Sequence, residues 1–190
     1  MTKQKTIWTI GHSTHPIEEF TAMLKSFRIE LLVDIRSYPG SKRYPQYNKE
    51  VIANTLIEND IEYIHLKNLG GRRKTTTDSR NTAWRNASFR GYADYMETES
   101  FKKAVIELEN LATQKRIAIM CSESVWWRCH RSLVSDYLKF NGWEVMHIMD
   151  IEKSEGHPYT KPAVTDGNEL SYSSKKENQL PLWPENHNTR

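Results

Sequence analysis

A chain of 190 residues, 37% of them hydrophobic, has the size of one ordinary domain and can bury a core without covalent staples. It carries 27 basic and 24 acidic side chains, and no apolar run approaches the roughly 20 residues that cross a bilayer. Two cysteines exclude a secreted disulfide framework, and the opening "MTKQKTIWTIGH" lacks the apolar core of a secretory signal, so a cytoplasmic protein with reduced thiols is expected.

The segment "TIWTIGH" (6–12) is β-branched and apolar and stops at Gly-His-Ser, as a strand entering a loop does. In "PIEEFTAMLKSFRI" (16–29), Ile17, Phe20, Leu24 and Phe27 recur at helical spacing, and Pro16, Glu18 and Glu19 suit a first turn. "ELLVDIRSYP" (30–39) has the continuous apolar centre of a strand buried on both faces. Asn48 stands where a cap belongs for "KEVIANTLIEND", and "IEYIHL" (61–66) reads as a third strand. Periodicity then fails over 67–90, which holds seven basic residues against Asp78. That stretch carries +6 and leaves −3 for the remainder, a local field that favours an anionic partner. A loop of such length inside a domain is functional or disordered. Helical spacing returns over 91–115 as two helices, the second capped by Thr98 or Ser100. "RIAIM" is the fourth strand, "RSLVSDYLKFNG" a helix closed by Gly142, and "WEVMHIM" the fifth strand.

Strands and helices that alternate in this way predict an α/β fold: a mostly parallel sheet of about five strands with helices on both faces. The α/β domain is expected over 1–150. A polar extension follows over 151–190, with a hairpin at Asp166-Gly167 and a disordered tail. Ligands of such sheets bind beyond the carboxyl ends of the strands. Those ends are His12-Ser13, Asp34-Ile35-Arg36, His65-Leu66, Cys121 and Met149-Asp150.

Five stretches together resemble one bacterial family: "TIGHST" (9–14), "VDIRSYPGSKRYPQYN" (33–48), "LGGRR" (69–73), "FRGYADYM" (89–96) and "CSESVWWRCHRSLVSDYL" (121–138). The family is the one called domain of unknown function 488, and the resemblance runs from about residue 6 to 150. It implies the fold and the place of the site and leaves the reaction open.

Cys121 ends a strand just before a loop that opens a helix, where a helix N-terminus and the nearby Arg128 and Arg131 lower a thiol pKa. His130 can move protons beside it, and Asp34 is a third candidate for chemistry. The layout resembles the anion loop of cysteine phosphatases and sulfurtransferases. It departs from them in having six residues before Arg128, two of them Trp, and no Gly. Cys121, Cys129 and His130 are also metal-ligand types, with His12 or Glu123 as a fourth. However, the eight-residue spacing is unlike structural zinc knuckles and adjacent Cys129-His130 rarely share an ion, so no cofactor is expected. A third reading needs no reactive thiol. Arg36, Arg72, Arg73, Arg90, Arg128 and Arg131 are forked donors for phosphate, and His12, Ser13 and Thr14 lie at a helix start. Trp84, Trp126, Trp127 and Tyr92 offer faces on which bases stack.

Near the end, "QLPLW" (179–183) resembles the Gln-Leu-x-Leu-Phe peptide with which bacterial DNA-processing proteins dock on the sliding clamp. The resemblance implies that Leu180, Leu182 and Trp183 fill an apolar cleft and that Gln179 bonds at its edge. The leading expectation is a protein with an Arg-rich anion pocket that processes a nucleotide or nucleic acid, linked to DNA repair or replication. The alternatives are a non-enzymatic nucleic-acid-binding accessory protein recruited through its tail, and a Cys-dependent phosphatase or sulfurtransferase-like enzyme.

Overall fold

A computed structural model describes residues 5–174. The elements run β1 (Thr6–Gly11), α1 (Ile17–Ser26), β2 (Leu31–Asp34), α2 (Lys49–Ile57), β3 (Glu62–His65), α3 (Ala87–Met96), α4 (Glu99–Gln114), β4 (Ile117–Cys121), α5 (Arg131–Phe140) and β5 (Glu144–Asp150). Three short strands follow: β6 (Lys153–Gly156), β7 (Val164–Asp166) and β8 (Glu169–Ser171).

The main sheet has the order β3-β2-β4-β1-β5-β6. The first five strands are parallel and β6 joins antiparallel to β5. Along each strand the pleat sends alternate side chains to opposite layers. Ile7, Val33, Ile119 and Val145 pack with Phe101, Leu108 and Leu133 of α4 and α5. Ile10, Leu32, Met120 and Ile148 pack with Phe20, Leu24 and Ile52 of α1 and α2. Both faces are therefore covered, which is why β2 and β4 read as unbroken apolar runs.

The sixth strand was not expected. All four residues of β6 are exposed, so no apolar alternation marks it. It carries the sheet past residue 150, and Tyr172, 2% exposed, fills a gap in the core, so the first half of the extension packs on the sheet domain. The hairpin β7-β8 turns at Asp166-Gly167, where Gly167 takes φ +53.

Caps account for the helix boundaries. Helix α3 begins four residues earlier than the spacing predicts, because the Asn86 side chain accepts from the Ser88 and Phe89 amides. Thr98 rather than Ser100 caps α4, accepting from the Phe101 amide. Asn48 sits at the head of α2, but its side chain accepts from the Ser41 amide and so pins the preceding loop.

Pairing sets the sheet's carboxyl edge. Gly11 lies opposite Cys121 and Asp34 opposite Met120, so the ends of β1, β2 and β4 finish level. A side chain at position 11 would place its first carbon 1.8 Å from the Glu123 carbonyl oxygen. Glycine there lets the 122–130 segment fold back over the end of β1.

Candidate functional site

At this edge a cavity of about 260 Å³ opens to solvent, with Cys121, Cys129 and His130 among its lining residues. Its walls come from the β2 end (Arg36, Ser37, Tyr38), the glycine-rich turn (Gly71, Arg72), the head of α3 (Ser88, Phe89) and the segment after β4 (Ser122, Glu123, Arg128). A groove of about 410 Å³ continues past His12, Ser13, Thr14 and Ser41 and shares Arg36, Tyr38, Arg72, Ser122, Glu123 and Arg128 with the cavity.

The thiols and the imidazole meet because of a backbone switch. A 3-10 turn at Trp126–Arg128 returns the chain to the sheet, Cys129 is extended (φ −123, ψ 147) and His130 is helical (φ −55, ψ −19). Two neighbouring side chains thus converge on Cys121. His130 Nδ1 lies 3.8 Å from Cys121 Sγ and 3.5 Å from Cys129 Sγ. Its Nε2, 3.3 Å from the Ile35 carbonyl, donates there, which turns Nδ1 towards the sulfurs. The Arg131 amide donates to Cys129 Sγ at 3.5 Å. The neighbouring Cys129 thiol, then His130 and the Arg131 charge, hold Cys121 well below the ordinary thiol range. Burial and the negative Cys121 push Cys129 well above it.

Arg131 lies beneath the segment, 2% exposed. Its Nη2 donates to the Glu123 and Ser124 carbonyls, while Nε and Nη1 have no partner among the described residues. Among the described residues no carboxylate pairs with this guanidinium, and burial lowers its pKa. It shapes the loop from inside and does not reach the ligand side.

The other arginines separate into groups. Arg36 donates through its backbone amide, Nε and Nη2 to the fully buried Asp34 carboxylate, and Nη2 also reaches the Tyr47 carbonyl. The Tyr63 hydroxyl donates to the same carboxylate at 2.7 Å. Asp34 is therefore corrected from a candidate acid–base group to a buried counter-ion with its oxygens engaged. Arg73 stacks on Tyr95 at 3.6 Å and donates to the Gly70 and Asn68 carbonyls, and Arg90 donates to the Trp84 carbonyl. Both turn away from the cavity, because short polar loops need donors for their own carbonyls. Arg72 and Arg128 are exposed on its rim and have no carboxylate partner among the described residues.

The aromatic faces are corrected in the same way. Tyr92 is completely buried with its hydroxyl donating to the Leu69 carbonyl, and Trp126 is buried flat against His147 with ring centres 4.5 Å apart. Trp84 stacks on Phe89. Trp127 stays half exposed, and Tyr38, missed in the sequence reading, is 68% exposed beside Arg72 and Lys67. The Tyr38 signal was its place in "RSYPG", directly after a strand end.

His12 stacks on Tyr47 at 4.0 Å. Its Nδ1 lies 3.0 Å from the Ser13 carbonyl and its Nε2 3.3 Å from Arg36 Nη1, so both nitrogens are occupied. Burial, then the Arg36 charge, pushes it down to about 4. Ser13 and Arg72 are left-handed at φ 45 and 60, and both border the groove. Gln179, Leu180, Leu182 and Trp183 lie outside the described residues.

Fold and site together define an α/β protein whose parallel sheet ends in a thiol–imidazole cluster under an arginine-rimmed cavity. The chain belongs to the family described as Domain of unknown function DUF488, which matches residues 16–138. No curated protein and no solved structure matches it. Among the described residues no helix is long and apolar enough to cross a membrane.

Proposed function

We propose that the protein is an enzyme that binds a phosphate-bearing small molecule, a nucleotide in class, with Arg72 and Arg128 on the phosphate and Cys121 with His130 at the reacting end. The observation that carries this reading is the pairing of two exposed guanidinium groups that lack carboxylate partners among the described residues with a thiol–imidazole cluster in one cavity. Guanidinium forks match phosphate oxygens, and exposed Tyr38 offers a flat face at the mouth for a base. The cavity and the groove beside it suit a small ligand that reaches from the sulfurs out past His12 and Ser13.

Calorimetric titration of the full chain with mono-, di- and triphosphate nucleosides, and with a single-stranded oligonucleotide, tests it. A nucleotide is expected to bind, with Arg72→Ala and Arg128→Ala each weakening it about tenfold or more. Product analysis with the best binder should show turnover that Cys121→Ser removes. Binding unchanged in the double arginine variant would overturn the reading. Binding of the oligonucleotide alone would replace it with the accessory-protein alternative.

A further inference from the structure

We propose that Cys121 Sγ, Cys129 Sγ and His130 Nδ1 form a binding site for one divalent ion of the zinc class, with a fourth position open to the cavity. The proposal does not rest on nucleotide binding, although two of its three ligands, Cys121 and His130, are the groups placed at the proposed reacting end.

The first argument is size. The three ligand atoms lie within 4.8 Å of one another, with sulfur–nitrogen separations of 3.5 and 3.8 Å. Zinc holds thiolate at about 2.3 Å and imidazole at about 2.0–2.1 Å in a tetrahedron. The edges of that tetrahedron are then about 3.8 Å between sulfurs and about 3.6 Å between sulfur and nitrogen. The two sulfur–nitrogen edges therefore match those of a zinc site to within about 0.2 Å, and the two sulfurs lie within 4.8 Å of each other.

The second argument is orientation. A metal-binding histidine normally donates its far nitrogen to a carbonyl or carboxylate, which fixes the tautomer and aims the free lone pair. His130 Nε2 does this to the Ile35 carbonyl. Cys129 Sγ accepts from the Arg131 amide at the start of α5, a contact that favours thiolate. Both supports are backbone groups on the sheet and helix, so the ligands are held before binding.

The third argument is ligand type. Two thiolates and one imidazole suit zinc far better than magnesium or calcium, which take oxygen ligands. Zinc takes both sulfurs as thiolates and the imidazole in its neutral form, so binding releases their protons to solvent. The fourth position falls to water or a substrate atom from the cavity, where Glu123 also lies. His12 does not supply it, because its nitrogens are engaged with Ser13 and Arg36. The sequence spacing argued against this site because knuckles close in two to four residues. Here the 3-10 turn at Trp126–Arg128 and the switch at Cys129–His130 close it instead.

Cobalt(II) titration of the reduced, metal-stripped full chain provides the test. We expect a thiolate-to-cobalt charge-transfer band and tetrahedral visible bands that saturate at one equivalent, and zinc should displace the cobalt. Cys129→Ser and His130→Ala should each weaken zinc at least about a hundredfold, beyond the 10–100-fold cost of losing an outer partner. The same metal-stripped protein is then titrated with nucleotide. Retained nucleotide binding in Cys129→Ser separates this site from the phosphate reading. No charge-transfer band, with both thiols shown free by thiol counting, would overturn the proposal without any variant having to fold. A band that survives in Cys129→Ser at full affinity would overturn it too.

Discussion

Two buried polar clusters lie on either side of Trp126, and they are built on opposite terms. In one, Thr9, His147, His157, Asp136, Thr160 and Tyr172 form a closed chain. His147 Nδ1 lies 2.7 Å from the Thr9 hydroxyl, and its Nε2 lies 2.9 Å from His157 Nδ1. His157 Nε2 is 2.9 Å from Asp136, whose oxygens also accept from Thr160 and the Tyr172 hydroxyl. Every ring nitrogen and carboxylate oxygen in it has a partner. In the other, among the described residues, His130 Nδ1 has two sulfurs as its partners and Arg131 keeps two donors unpaired. The satisfied cluster ties Thr160 and Tyr172 to α5 and, through His157 and His147, to the sheet. The unsatisfied one faces a cavity. Polar groups left unmade in a core are costly, so their persistence at one place marks the place where something binds.

Substitutions can break or sharpen this contrast. The largest effect is expected from Asp136→Ala, which strands His157, the Thr160 amide and hydroxyl, and the Tyr172 hydroxyl. A loss of at least about 3 kcal/mol should appear in urea denaturation. Protonation acts on the same cluster. Burial, then its histidine neighbour, pushes His147 down to about 2, so folding holds it neutral while the unfolded chain takes up a proton below about pH 6.5. The stability this contributes is fully present above pH 6.5 and is lost as pH falls from there towards 2. Between pH 7 and 5 the loss from this one group should reach up to about 2 kcal/mol, with a shallower decline in His147→Gln.

Next comes Arg72→Ala, expected to cost about tenfold in nucleotide affinity with no change in urea midpoint. A small stability effect is expected from Arg131→Met, within about 1 kcal/mol of the parent, because replacing a buried charge that lacks a carboxylate partner among the described residues by an apolar chain of similar length removes a penalty along with two loop contacts. A loss as large as that of Asp136→Ala would dissolve the distinction between the clusters. Gly71→Ala isolates the site from the fold. A methyl there would stand 2.9 Å from His130 Nδ1, so ligand or metal binding should fall while the thermal midpoint moves little.

The alternation of strands and helices was legible because β1, β2, β4 and β5 are apolar enough to show their burial in the residues themselves. Strand β6 was not, since an exposed edge strand has no pattern to read. That the strand ends and the Cys121–Arg131 stretch would gather at one edge of the sheet was legible. Which arginines face the ligand was not. Arg72 and Arg73 are adjacent, yet a left-handed residue sends one to the rim while the other bonds back to Gly70. Composition counts donors, and only backbone direction says where they point. Cys129 was discounted by spacing for the same reason, because the turn that brings it home is encoded in φ and ψ.

The support of Trp126 sets an order of events during synthesis. Its ring rests on His147, and its Nε1 donates to Glu155, which a ribosome adds 29 residues later. Until β5 and β6 have emerged, the segment between the two cysteines lacks the surface that holds it. The turn between the two cysteines therefore takes its final place only after β5 and β6 have been made.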